Sequence, residues 1–186
     1  MATPSALPGF NAPAVGFEQP FAMLEACHER VQRTLALLQR LRTYVQEHGA
    51  DAPAQQAARD VLRYFDIAAP LHHEDEELHV FPLLLAQGAP DVAALVARLQ
   101  HDHLCMTADW TAARLPLQAL AEGLQAGFSE ADGTAFDRFI ARYDRHIADE
   151  ETVAYPAAQA LLAAQALEAM GREMAARRKV SPPARQ

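Results

Sequence analysis

The sequence predicts an all-α fold, an antiparallel up-down four-helix bundle with an extra C-terminal helix, and three observations carry that expectation. Ala and Leu recur throughout the chain interior while Gly is scarce, 8 in 186 residues with 51% hydrophobic, a composition that favours helix over sheet. Apolar residues step by three and four rather than by two. Short breaks at residues 49–51 and 88–91 separate the periodic runs, and short connections make neighbouring helices antiparallel. A chain of this length holds one domain with a sizeable core.

Residues 1–17 carry Pro4, Pro8 and Pro13 among Ala and Gly without any period, and read as an extended lead-in. Pro20 suits a first helical turn, and Leu24, His28, Val31, Leu35, Leu38, Arg42 and Val45 mark the buried face of a first helix that Gly49 stops. Asp51 and Pro53 read as the cap and first turn of a second helix, with Leu62, Phe65, Ala69, His72, Glu76 and His79 inward. Pro70 should kink it, because proline cannot donate to the Asp66 carbonyl one turn before the densest His/Glu cluster.

After the turn at 88–91, Val92, Val96, Leu99, His103, Met106 and Trp110 form the stripe of a third helix. Pro116 interrupts it, and the stretch through Gly123 and Gly127 is open between a kinked continuation and a loop. Ser129 with Asp132 resembles a capping box, and Phe136, Phe139, Ile140, Tyr143, His146 and Glu150 follow on one face of a fourth helix that ends or bends near Pro156. Residues 157–178 are expected to form a fifth helix packed outside the bundle. The bundle is thus set at residues 18–160, with the C-terminal helix and tail at 161–186.

A net charge of -8 and a pI of about 5.4 disfavour nucleic acid or an anionic membrane as partner. The basic cluster Arg172, Arg177, Arg178 and Lys179 reads as a solvated helix end favoured by the helix dipole. No apolar run approaches bilayer length, and residues 1–20 lack a basic start and a continuous apolar stretch, so a cytoplasmic protein is expected. Cys27 and Cys105 are too few for a disulfide framework and read as free thiols packed in helices.

The chemistry is carried by an internal repeat. Residues 72–82 and 146–156 align without gaps as His-x-x-Asp-Glu-Glu-x-x-x-aromatic-Pro. Each copy supplies a histidine and, four residues on, a glutamate: His72 with Glu76, and His146 with Glu150. Each pair projects from one side of its helix and can chelate. Two facing carboxylates inside a bundle repel each other and are costly to bury, so a cation between them is expected. His28 and His103 lie on the inward stripes of the other two helices. Mixed nitrogen and oxygen donors suit iron, manganese or zinc better than calcium or magnesium.

Several neighbouring residues have competing readings. His73 with Glu77 is a rival pair at the same spacing; the repeat favours His72 with Glu76, while a kink at Pro70 would bring His73 or Glu74 close. His79 shares the face of Glu76 and reads either as a further ligand or as a residue orienting one. His101 is offset from the stripe and expected to be exposed, and His48 ends a helix. The aromatic residues read as core, with the Tyr143 and Tyr155 hydroxyls unplaced.

The block Cys27-His28-Glu29-Arg30-Val31, the His-x-x-x-Glu-Glu block ending Phe81-Pro82, the triplet Asp102-His103-Leu104 and the closing His146-x-x-x-Glu150-Glu151 resemble the HHE repeats of hemerythrin-like proteins. The resemblance covers residues 18–160. It implies His28, His72, His103 and His146 as terminal ligands and Glu76 and Glu150 as bridges between two iron ions, with an oxo or hydroxo bridge balancing the remaining charge and zinc or manganese as alternatives. Oxygen-carrying hemerythrins are similar but have a fifth histidine where this chain has Leu99, and a His-x-x-x-x-Asp pair where it has His146-x-x-x-Glu150. The set is closer to bacterial di-iron proteins that repair iron-sulfur clusters, respond to nitric oxide or sense iron.

The function so implied is that of a non-haem di-iron protein, more a binder than an enzyme. It would sense, buffer or scavenge oxygen, nitric oxide or iron at an open iron position, with a small diatomic molecule or peroxide as its ligand. The alternatives are a di-iron enzyme reducing peroxide or nitric oxide, and a structural zinc site or interaction bundle.

Overall fold

Five helices run in sequence order through the computed structural model, which describes residues 15–179, and no strand occurs among the described residues. Most of the expected lead-in and the last residues of the expected tail lie outside them. Helix α1 spans Pro20–His48, with proline in its first turn, and stops at Gly49, whose φ of 79° is readily adopted only without a Cβ. Its buried stripe is the expected one with a single correction: Leu41 takes the inward place of Arg42, which reaches instead to Asp137 at 2.8 Å.

Helix α2, residues 52–87, is capped by Asp51, whose carboxylate accepts from the Ala54 N–H. Its regular stretches, Ala52–Arg63, Ala69–Asp75 and Phe81–Gln87, are joined by single π-turns at Tyr64–Ala68 and Glu76–Val80. Helix α3 spans Pro90–Ala121 and continues through Pro116. The connection open in the sequence is therefore a loop only beyond Ala121. Helix α4, residues 130–161, begins with a complete Ser129/Asp132 capping box, tightens at Ala141–Arg142, passes a third π-turn at Glu150–Ala154 and ends at Leu161.

The fifth helix corrects the expected boundary. Tyr155–Leu161 still belongs to α4, Leu162 and Ala163 are extended, and α5 spans Ala164–Arg177. It packs against the outside of the bundle, as expected. Met170 and Met174 are buried against Phe21, Leu24 and Tyr155, and full burial of such side chains contributes roughly 1.5–3 kcal/mol each. Arg177 and Arg178, read from composition as solvated, both clamp the fully buried carboxylate of Asp75.

The three π-turns share a cause. Each begins six residues before a proline, Tyr64 before Pro70, Glu76 before Pro82 and Glu150 before Pro156. Proline has no N–H, and its ring crowds the carbonyl four residues back. Widening the turn relieves that crowding and lets the preceding residue donate five residues back, as Phe81 does to Glu76. The expected kink at Pro70 is thus a π-turn.

Two apolar clusters fill the bundle. One contains Val31, Phe65, Ala69, Met106, Phe139 and Tyr143; the other contains Leu24, Val80, Phe81, Leu99, Ala154 and Tyr155. His28, His72, His103 and His146 fall between members of the two clusters on their respective helices, so a polar layer is sandwiched between dry ones. Among the described residues no helix is long and apolar enough to cross a membrane.

Candidate metal centre

The structure brings all six sequence-predicted side chains into that layer. His28, His72, His103 and His146 are at most 6% exposed, and Glu76 and Glu150 are fully buried. His72 Nε2 lies 3.3 Å from Glu76 Oε1, and His146 Nε2 lies 3.1 Å from Glu150 Oε1. His28 Nε2 is 3.2 Å from Glu150 Oε2, and His103 Nε2 is 3.4 Å from Glu76 Oε2. Two groupings could hold a cation, His28/His72/Glu76/Glu150 and His103/His146/Glu150, with donor atoms in each within 4.8 Å of one another. Glu150 belongs to both.

Several of these groups converge without a hydrogen-bond partner. Both Glu150 oxygens, Glu76 Oε2, and the Nδ1 atoms of His72 and His146 are buried with no hydrogen-bond partner. Unpaired buried carboxylate oxygens are among the most costly groups a fold can carry. Their cost is relieved by a positive charge among them, so the donor set fits metal cations.

The protonation states follow from the same layer. Burial pushes the His72 imidazole down to about 3. Burial also lowers His146. Both are therefore neutral, the form that ligates. In His28 and His103 burial is outweighed by Glu150 and Glu76 respectively, and both are raised. Burial and the neighbouring Glu76 push Glu150 up to about 8, while His72 and His103 overcome burial and hold Glu76 well below the usual carboxylate range. Of two facing carboxylates, one takes up a proton.

Each position of the duplicated motif has a structural task. The first glutamate, Glu76 or Glu150, points inward. The second orients an imidazole on a neighbouring helix: Glu77 Oε1 is 3.0 Å from His103 Nδ1, and Glu151 Oε1 is 2.9 Å from His28 Nδ1. A carboxylate on Nδ1 fixes the tautomer and aims Nε2 at the layer. The aspartate binds arginine, Asp75 with Arg177 and Arg178, and Asp149 with Arg98 at 2.7 Å. The aromatic residue stacks on the same imidazole as its glutamate, Phe81 on His103 at 5.5 Å and Tyr155 on His28 at 5.6 Å between ring centroids.

Tyr155 is one of the two tyrosines whose hydroxyls the sequence left unplaced. Its fully buried hydroxyl donates to Glu76 Oε1 and lies 3.2 Å from His28 Nε2. In a π-turn positions five apart face the same way, which puts Tyr155 on the side of Glu150. The signal was present as the six-residue spacing from Glu150 to Pro156.

The competing readings separate. His73 lies outside both donor groupings and stacks on the His103 ring at 4.0 Å, with the His146 ring 6.4 Å away. His79 points to α5, 3.4 Å from Glu173. His101 is exposed, Cys27 and Cys105 are half-buried free thiols, and Leu99 is fully buried core.

Comparison with known proteins gives two findings. The profile of the hemerythrin HHE cation binding domain matches residues 19–158. An uncharacterized protein of Haemophilus influenzae is 36% identical over 164 residues, covering 88% of this chain and 92% of the relative.

Proposed function

Because the chain belongs to the hemerythrin HHE cation-binding domain family, we propose that its His/Glu layer holds two iron ions and serves to sense, buffer or scavenge oxygen, nitric oxide or iron. His28 and His72 would hold one ion, His103 and His146 the other, and Glu76 and Glu150 would be shared. The observation that carries this reading is the convergence of four imidazoles and two carboxylates, three of whose four buried oxygens have no hydrogen-bond partner. Bound there, iron supplies redox change and a coordination position for a small ligand.

The protein's own contribution is positional. Glu77 and Glu151 aim two imidazoles, and the apolar clusters above and below exclude bulk water. Leu99 packs in the core at the position where the oxygen carriers have a fifth histidine, so this chain offers one donor fewer there. That favours a sensing or scavenging role over reversible oxygen transport.

Rapid mixing of the reduced, iron-loaded protein with nitric oxide tests the role. One stoichiometric binding event, followed by no further consumption, is expected. Continued consumption would favour the second reading, an enzyme reducing nitric oxide or peroxide. The Tyr155 hydroxyl supports that alternative, because it is a proton donor placed against Glu76 and His28. Under it, Tyr155→Phe slows turnover and leaves iron content unchanged.

A further inference from the structure

We propose that the groove between α2 and α3, alongside the His/Glu layer, is a binding site for a small neutral aromatic molecule bearing a hydroxyl, a ligand of the phenol class. This goes beyond the proposed function and does not depend on which cation the layer holds.

The groove adjoins the π-turn at Tyr64–Ala68 and the proline that follows, with Phe65, Ala69 and Pro70 lining its α2 side. Its volume is about 560 Å³, within the range of small-molecule sites and far more than a diatomic ligand fills. His103 and His73 form its wall toward the layer.

Three features select the occupant. The rings of Phe65, Trp110, Phe139 and Tyr143 line one end, with Phe65 5.1 Å from Trp110 and 4.9 Å from Phe139 between centroids. Such a surface suits a flat apolar body, since aromatic pairs gain beyond area burial. The lining contains two carboxylates, Glu74 and Glu77, and neither lysine nor arginine, so an anion would enter unpaired and against like charge.

The third feature is the set of polar groups left over. Glu77 is occupied by His103 and Gln100, and the Thr107 hydroxyl donates to the His103 carbonyl. Tyr143 is only 3% exposed, and its hydroxyl has no hydrogen-bond partner among the described residues. The half-buried His73 ring likewise stacks without a hydrogen bond among them. A ligand hydroxyl, which both donates and accepts, supplies a partner that neither an alkane nor an anion would.

Trp110 is the only tryptophan of the chain and lies in the groove, so its fluorescence reports occupancy. The full purified chain is titrated at neutral pH with phenol, toluene and benzoate, and its metal content is measured on the same samples. Phenol is expected to give a saturable change, with benzoate at least about tenfold weaker. Tyr143→Phe should weaken phenol about three- to tenfold and leave toluene unchanged, the loss of one hydrogen bond. Ala69→Leu, which narrows the groove beside Phe65 and Pro70, should weaken both responses; if that variant fails to fold, the near-isosteric Tyr143→Phe still decides. A linear, non-saturating response, equal binding of benzoate, or an unchanged phenol affinity in Tyr143→Phe overturns the proposal. Protein that holds two irons but no phenol refutes the groove alone, and protein that binds phenol but no metal refutes the centre alone.

Discussion

His28 Nδ1 on α1 lies 2.9 Å from Glu151 Oε1 on α4, and the contact fixes which nitrogen of His28 faces the buried layer. The matching contact between His103 and Glu77 measures 3.0 Å. The second glutamate of each motif therefore serves a histidine on another helix. Glu151→Ala and Glu77→Ala should each weaken cation binding by about 10–100-fold without abolishing it. Competition with a chromophoric chelator measures this, and unchanged affinity in both variants would remove the assigned task.

His72 and His73 should behave oppositely. His72 approaches Glu76, while His73 faces the groove. His72→Ala and Glu76→Ala are expected to lose metal, and His73→Ala to retain it. Elemental analysis of the three purified variants checks the register; metal loss in His73→Ala alone would reverse it.

The two motif aspartates hold the same position in the repeat but differ in burial. Asp75 is fully buried against Arg177 and Arg178, whose side chains are 15% and 16% exposed. Asp149 is 25% exposed and its partner Arg98 35%. Removing one partner of a buried pair strands the other, so Asp75→Ala should cost about 3–5 kcal/mol. Asp149→Ala should cost about 1 kcal/mol or less. Urea unfolding of the two variants compares them directly, and equal losses would show that burial is not what separates them.

Protein stripped of metal should be most stable near pH 6.5. Glu150, raised from an ordinary 4.5 to about 8, binds more protons folded than unfolded, so stability falls as pH rises through that window. His72, lowered from 6.5 to about 3, and His73 and His146, both also lowered, bind fewer protons folded, so together they outweigh Glu150 and stability rises up to about pH 6.5. The two slopes oppose each other only in the overlap. His28 and His103, both raised, add to the alkaline decline. Denaturant unfolding across pH tests this; stability that climbs steadily from pH 6.5 to 8 would contradict it.

Much of the fold was legible because burial and the α-helical period coincide. The stripes of α1 and α3 follow spacing almost residue by residue and carry His28 and His103, while the duplicated motif marks the other four donors on α2 and α4. The π-turns escaped because periodicity assumes a constant turn, and Tyr155 escaped with them. The start of α5 was hidden in an Ala- and Leu-rich run with no Gly or Pro at Leu162 and Ala163. Arg177 and Arg178 looked solvated because Asp75, the partner that buries them, lies about a hundred positions away in sequence. Charge in composition does not report such a contact.

Two iron ions in one buried layer are the core of the proposed function. Protein expressed in iron-rich medium, purified and analysed for metal per chain, tests it most directly. Two irons per chain, falling below one in Glu150→Ala, is the expected result; stoichiometric zinc, or no bound metal in the folded wild-type protein, would contradict it.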